Sequence, residues 1–269
     1  MPDPSRLNII IIGAHPDDCE YRCAGTAAKW AATGHAVKFV SVTNGDAGHH
    51  ELQGEALVSR RKAESEEAAR RLGIAAVELL PHHDGLLEPS LAARATVIRQ
   101  IRNWRADVVV THRPNDYHPD HRYTSQLVQD SAYMVLVPIV CPDTPVLRRN
   151  PVYLYMEDEF TTPYPFRPDV AVAIDDIWEK KIDSLDAHVS QFYEWLPWVD
   201  GKLEEVPGGE GARREWLDRQ MRRALPTDIR AALAARYGAA AGAQCVEAYE
   251  LCEYGRQPSR EELDALLPR

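Results

Sequence analysis

His15, Asp17 and Asp18 fall within four residues of one another in "IIIIGAHPDDCE" (9–20), and His118, Asp120 and His121 do the same in "HRPNDYHPDH" (112–121). Adjacent carboxylates repel, and a divalent cation relieves that repulsion and reverses the local electrostatics. A catalytic zinc commonly takes three protein ligands from His and carboxylate and keeps a fourth position for water. His15, Asp18 and His121 form such a set, which suits iron(II) as well. Asp17, beside the set but not needed in it, is placed to act as general base on a water whose pKa the metal lowers to about 7. His118 is a candidate donor to an oxyanion, and Asp120 a candidate partner that orients an imidazole. This chemistry suits hydrolysis of a carbonyl compound. Alone, His-Pro-Asp-Asp would also serve as a turn in which Asp18 caps the next helix. Turn chemistry does not explain why His-Pro-Asp recurs in the second segment.

Both clusters depend on the elements before them. Residues 7–13 are a continuous aliphatic run, too short for a buried helix, and read as a buried parallel strand. The patterning predicts helices over 23–33, 55–72 and 91–104, and strands over 36–43, 77–80 and 107–111, with Gly73 at a helix stop. Alternation of this kind implies βαβ units and a Rossmann-like three-layer α/β sandwich with a mostly parallel sheet. Right-handed crossovers line the strand C-terminal ends along one edge, where ligands bind at a topological switch point. The clusters follow the first and fourth predicted strands, so they are expected to meet at that edge. Further on, a helix is predicted over 123–137, strands over 152–156 and 169–174, and a helix over 177–196. From Asp200 the composition turns polar and alanine-rich, with a loop at 206–212 and helix after it. An α/β domain over 1–199 and a C-terminal helical extension over 200–269, packed on the same domain, are therefore expected.

Composition narrows the function. A net charge of −10 argues against a nucleic-acid or anionic-membrane binder. Five cysteines, an odd number without a C-x-x-C pair, read as reduced thiols of a cytoplasmic protein. No signal peptide and no membrane span is visible. The first turn reads "GAHPDD" rather than G-x-G-x-x-G, and carboxylates there would repel a pyrophosphate. His49 and His50 read as solvated loop residues, and His112 as a strand-end residue that packs or hydrogen-bonds. Residues 113 and 115–117 read as a local hydrogen-bond network. The aromatic stretches 152–166 and 192–198 suit core packing or a subunit interface in a homo-oligomer, with sugar stacking as the other reading.

"AHPDDCE" together with "HRPNDYHPDHR" resembles the zinc-dependent N-acetylglucosamine deacetylases, the family of LmbE-like proteins, the mycothiol and bacillithiol deacetylases and PIG-L. "VTNGDAG", "RRKAESEEAARRLG", "HHDG" and "AHVSQ" fit its later elements, and the likeness spans about 7–195. The resemblance implies a Zn2+-dependent enzyme that releases acetate and a free amine from a small-molecule N-acetylated amino sugar or glycoconjugate. It implies His15, Asp18 and His121 as metal ligands, Asp17 as base and His118 as the histidine that assists at the transition state. It further implies substrate contacts at Arg61 and Asp84, and a supporting place near the site for His188. Arg22 departs from the pattern, standing where relatives often carry a small residue. A noncatalytic sugar- or metal-binding module on the same fold is the other function class that these residues allow.

Overall fold

Ile9, Ile10, Ile11 and Ile12 are wholly buried, and their alternation divides them between two cores: Ile9 and Ile11 face one, Ile10 and Ile12 the other. A strand covered on both faces belongs in the middle of a parallel sheet. The computed structural model, which describes residues 6–238 and 242–269, places it there. Strands β1 (Asn8–Gly13), β2 (Ala36–Thr43), β3 (Ala76–His82), β4 (Val108–Thr111), β5 (Val152–Met156), β6 (Val170–Ala173) and β7 (Val246–Leu251) form one sheet in the order β3-β2-β1-β4-β5-β7-β6. Pairing is parallel from β3 through β5, while β7 runs antiparallel to both β5 and β6. Chain order reverses between β1 and β4, so the switch point lies past their C-terminal ends.

Helices α1 (Asp18–Ala32), α2 (Gly54–Leu72), α3 (Leu91–Trp104), α4 (Pro119–Met134) and α5 (Trp178–Asp186) cover the two faces. Residues of α1, α2 and α5 share the core of Ile9 and Ile11, and those of α3 and α4 the core of Ile10 and Ile12. The sandwich is thus three-layered, as the alternation predicts. The helix predicted over 177–196 is broken. After α5 a π-helical turn spans Ser190–Trp195, and a single turn, α6 (Leu196–Val199), follows. The Glu64 carboxylate accepts from the Ser190 backbone N–H (2.9 Å) and hydroxyl (2.5 Å), which anchors the start of that turn.

The segment after Asp200 contains α7 (Glu210–Met221), α8 (Thr227–Tyr237) and α9 (Arg260–Leu266), but also β7, which enters the sheet between β5 and β6. The expected all-helical extension therefore gives way to helices plus one strand. Glu247 of β7 is buried and accepts from Gly25 N (3.0 Å), Thr26 N (2.7 Å), Thr26 Oγ1 (2.6 Å) and Lys181 Nζ (2.7 Å), tying this segment to α1 and α5. The five cysteines are unpaired and buried, and no described helix is long and apolar enough to cross a membrane.

Candidate active site

The turn after β1 bends sharply because residue 13 is glycine; a Cβ there would lie 2.7 Å from Asp18 Cβ. Asp18 folds back on this turn, and its Oδ2 accepts from Ala14 N (2.9 Å) and His15 N (2.7 Å). His112, at the end of β4, brings Nε2 within 3.1 Å of the same oxygen. Oδ1 then remains, 3.4 Å from Nε2 of His121 on the first turn of α4. His15 Nδ1 lies 3.1 Å from His121 Nε2 and 3.5 Å from Asp18 Oδ2. The two motifs, carried by β1 and β4, meet at the switch point.

These donors fit a divalent cation. Bonds of about 2.0–2.1 Å in tetrahedral array put neighbouring ligand atoms roughly 3.3 Å apart, close to the separations among His15, Asp18 and His121. The far imidazole nitrogens face carboxylates. His15 Nε2 lies 3.2 Å from Asp84 Oδ1 and 3.4 Å from Asp120 Oδ2, and His121 Nδ1 lies 3.1 Å from Asp116 Oδ1. Carboxylates behind imidazoles set ring orientation and strengthen the near nitrogen as a donor. Two triads of possible ligands, His15–His118–His121 and Asp18–His112–His121, share His121, and a third, His15–Asp84–Asp120, lies on the far side of His15. Burial favours neutral His15, but Asp120, Asp18 and Asp84 outweigh it and raise its pKa well above the usual value. Burial likewise opposes ionised Asp18, but the imidazoles of His121 and His112 prevail and hold it well below the carboxylate range.

Asp17 lines the pocket beside this centre. Burial raises its pKa, Arg61 lowers it and Asp18 raises it further, so its carboxylate binds a proton more readily than a solvated one. Arg61 reaches in from α2, wholly buried. Nη2 is 3.4 Å from Asp17 Oδ2, and Nη1 is 3.4 Å from both Asp84 Oδ2 and the Gly45 carbonyl. Asp84, expected at the substrate, thus also stands between Arg61 and His15. Gly45 has φ +72°, and a Cβ on it would lie 2.7 Å from Arg61 Nη1. Gly45→Ala is therefore expected to lower stability by about 1–2 kcal/mol. By displacing Arg61 it should also lower kcat/KM by roughly 10²-fold with metal content unchanged, measurable by thermal unfolding, kinetics and metal analysis together.

His118 precedes α4 as its cap, and its Nδ1 accepts the Asp120 backbone N–H at 3.2 Å. That bond fixes the tautomer: Nδ1 carries no proton, so Nε2 does. Burial, then His15 and His121, hold its pKa below the usual value. His118 is thus a neutral N–H donor rather than an imidazolium. His188, fully buried, lies with Nε2 3.2 Å from Glu20 Oε1. Burial opposes its charge, but Glu20, Asp17 and Glu64 outweigh it and raise its pKa.

Sequence reasoning left Asp116 and Arg113 within an unspecified local network, yet Asp116 stands directly behind His121. The available signal was its place in the same ten-residue segment. His49, read as solvated, has a largely covered side chain with Nε2 2.8 Å from Glu194 Oε2. It stacks on His50, and a ladder continues through Trp198 to Trp195 at the pocket wall. The pocket encloses roughly 600 Å³ above the centre, and Tyr117 and Phe160, in contact with each other, also line it.

Residues 10–132 match the PIG-L family, described as GlcNAc-PI de-N-acetylase. The chain is 27% identical over 221 residues to diacetylchitobiose deacetylase of Thermococcus kodakarensis, covering 76% of this chain and 82% of that one. It superposes on N,N'-diacetylchitobiose deacetylase from Pyrococcus horikoshii with a TM-score of 0.69 at 25% identity, over 91% of this chain and 84% of that one. It is also 25% identical over 197 residues to 4-oxalmesaconate hydratase of Pseudomonas putida, covering 69% of this chain and 74% of that one.

Proposed function

We infer, from the match of residues 10–132 to the PIG-L (LmbE-like) family, that this chain is a metal-dependent N-deacetylase. Its substrate is an N-acetylglucosamine-type sugar or glycoconjugate, and its products are acetate and a free amine. The observation that carries this reading is the convergence of His15, Asp18 and His121, whose imidazole nitrogens lie 3.1 Å from each other and 3.5 Å and 3.4 Å from Asp18 Oδ2 and Oδ1 respectively, beside the Asp17 carboxylate in a pocket. We assign the resident ion as Zn2+ and its holders as those three residues. The ion supplies Lewis acidity and a water of lowered pKa.

The chain's own groups do the rest. Asp17 takes a proton from the attacking water as its oxygen bonds to the acetamide carbon. Arg61, in contact with both Asp17 and Asp84, keeps the base oriented and ionised before the reaction. The carbonyl oxygen gains negative charge, and the Nε2–H of His118 donates to it; one such donor is worth about 3–4 kcal/mol. Asp17 then passes its proton to the nitrogen as the C–N bond breaks. Water has by then been divided between acetate and amine, and Asp17 is ionised again. Asp84, Asp120 and Asp116 hold the two ligand imidazoles, and His188 with Glu20 lies behind Asp17.

A second reading is hydration of a carbon–carbon double bond, favoured by the likeness to the Pseudomonas hydratase. It uses the same centre to add water without cleaving an amide. One panel separates the two: N-acetyl sugars assayed for acetate and amine, and unsaturated carboxylic acids assayed for loss of ultraviolet absorbance, each with Zn2+ and with chelator. Equimolar acetate and amine, abolished by chelator, is the expected result. Hydration without acetate release would replace the deacetylase reading.

A further inference from the structure

Arg22 stands one helical turn after Asp18 on α1, so their side chains share a face about 5–6 Å apart at Cβ. The Arg22 guanidinium lies 4.7 Å from the Tyr21 ring and is half-buried. It lines both the pocket over the metal centre and a second cavity of similar size, roughly 600 Å³, which shares Tyr21, Glu157, Gln220 and Met221 with the first.

Of the cations that line the two cavities, only Arg22 and the solvent-exposed Lys202 lack a carboxylate partner among the described residues. Arg113 Nη1 donates to Asp158 Oδ1 at 2.9 Å, Arg223 to Glu157, Arg222 to Asp218 at 3.0 Å, and Lys181 to Glu247 at 2.7 Å. Among the described residues, Arg22 makes no hydrogen bond and no ion pair. A guanidinium with unused donors, sheltered in a pocket wall, binds carboxylate or phosphate through paired N–H···O contacts. Screening by salt is weaker there than on an open surface.

We propose that Arg22 is the anion-recognition residue of this site, and that the N-acetylated substrate carries a carboxylate or phosphate within about one sugar-ring length of its acetamide. The proposal rests on the deacetylase reading and narrows its substrate class. Carboxylate and phosphate share the chemistry that Arg22 recognises, and separate arms of the test distinguish them.

The test compares three substrates on the Zn2+-loaded enzyme: methyl N-acetylglucosaminide, its carboxymethyl counterpart and N-acetylglucosamine 1-phosphate. Wild type is expected to favour at least one anionic substrate tenfold or more in kcat/KM, carried by KM. Arg22→Gln is expected to bring that ratio near one, and Arg22→Lys to restore part of it. Calorimetric titration with glucosamine 1-phosphate against methyl glucosaminide reads the same preference without turnover, so absence of deacetylation would sink the reaction while leaving this test intact. A wild-type ratio near one would overturn the proposal. A preference that survives Arg22→Gln would also overturn it, because the anion would then be bound by the metal or by another residue. Arg22→Gln that lowers thermal stability and leaves the ratio unchanged would make Arg22 a structural residue, and would overturn it too.

Discussion

Asp17→Asn is expected to lower kcat about 10²–10⁴-fold, with metal content and unfolding temperature close to wild type. Asparagine keeps the shape of the side chain but cannot take a proton from water. Its oxygen still faces Arg61, whose Nη2 lies 3.4 Å from Asp17 Oδ2, so the buried guanidinium keeps its neighbours. The substitution also removes a carboxylate whose ionised form burial and the charge of Asp18 disfavour. Stability therefore has no reason to fall. A kcat loss with KM and metal unchanged would mark Asp17 as the group that moves the proton. Parallel loss of metal would instead make it a ligand.

His121→Ala is expected to abolish metal retention and to cost at least about 10³-fold in turnover, since Lewis-acid stabilisation amounts to several kcal/mol and each 1.36 kcal/mol is tenfold. The imidazole contacts Asp18 Oδ1, His15 and Asp116. Without it, these groups keep their charge and lose the centre that binds them together. Folding is affected as well: a cation present at 1,000 times its Kd stabilises the native state by about 4 kcal/mol, and that contribution disappears. Wild type treated with chelator should show the same drop in unfolding temperature and regain it with Zn2+, whereas the variant should respond to neither. Asp120→Asn, at a side chain that meets the back of His15 and accepts the Gly85 N–H, is expected to cost about 10–100-fold. The gap between the two variants separates holding the ion from orienting its ligand. Metal content and kcat of both proteins, measured side by side, check it.

The meeting of the two polar clusters was legible because the sheet is. The Ile9–Ile12 run and the Val108–Val110 run read as buried strands, and polar side chains that follow such strands at a topological switch point must converge. Sequence patterning failed where buried charge breaks it. β7 reads as polar because Glu247 and Glu250 interrupt it, yet both are buried against cations, Lys181 for one and Arg113 and Arg167 for the other. The break in the 177–196 helix was equally hidden. It depends on a carboxylate from another helix, Glu64, capturing Ser190, and local periodicity carries no trace of that contact. Asp84 shows a third limit. Its position near the site was legible, but its bridging of His15 and Arg61 exists only in the folded chain.

The most direct test of the metal centre is anomalous scattering at the zinc edge from crystals of the Zn2+-loaded protein. One peak is expected per chain, about 2.0–2.2 Å from His15 Nδ1, His121 Nε2 and an Asp18 oxygen, with Asp17 uncoordinated beside it. A peak on the far side of His15, between Asp84 and Asp120, or no peak at all, would contradict the site on which the proposed reaction depends.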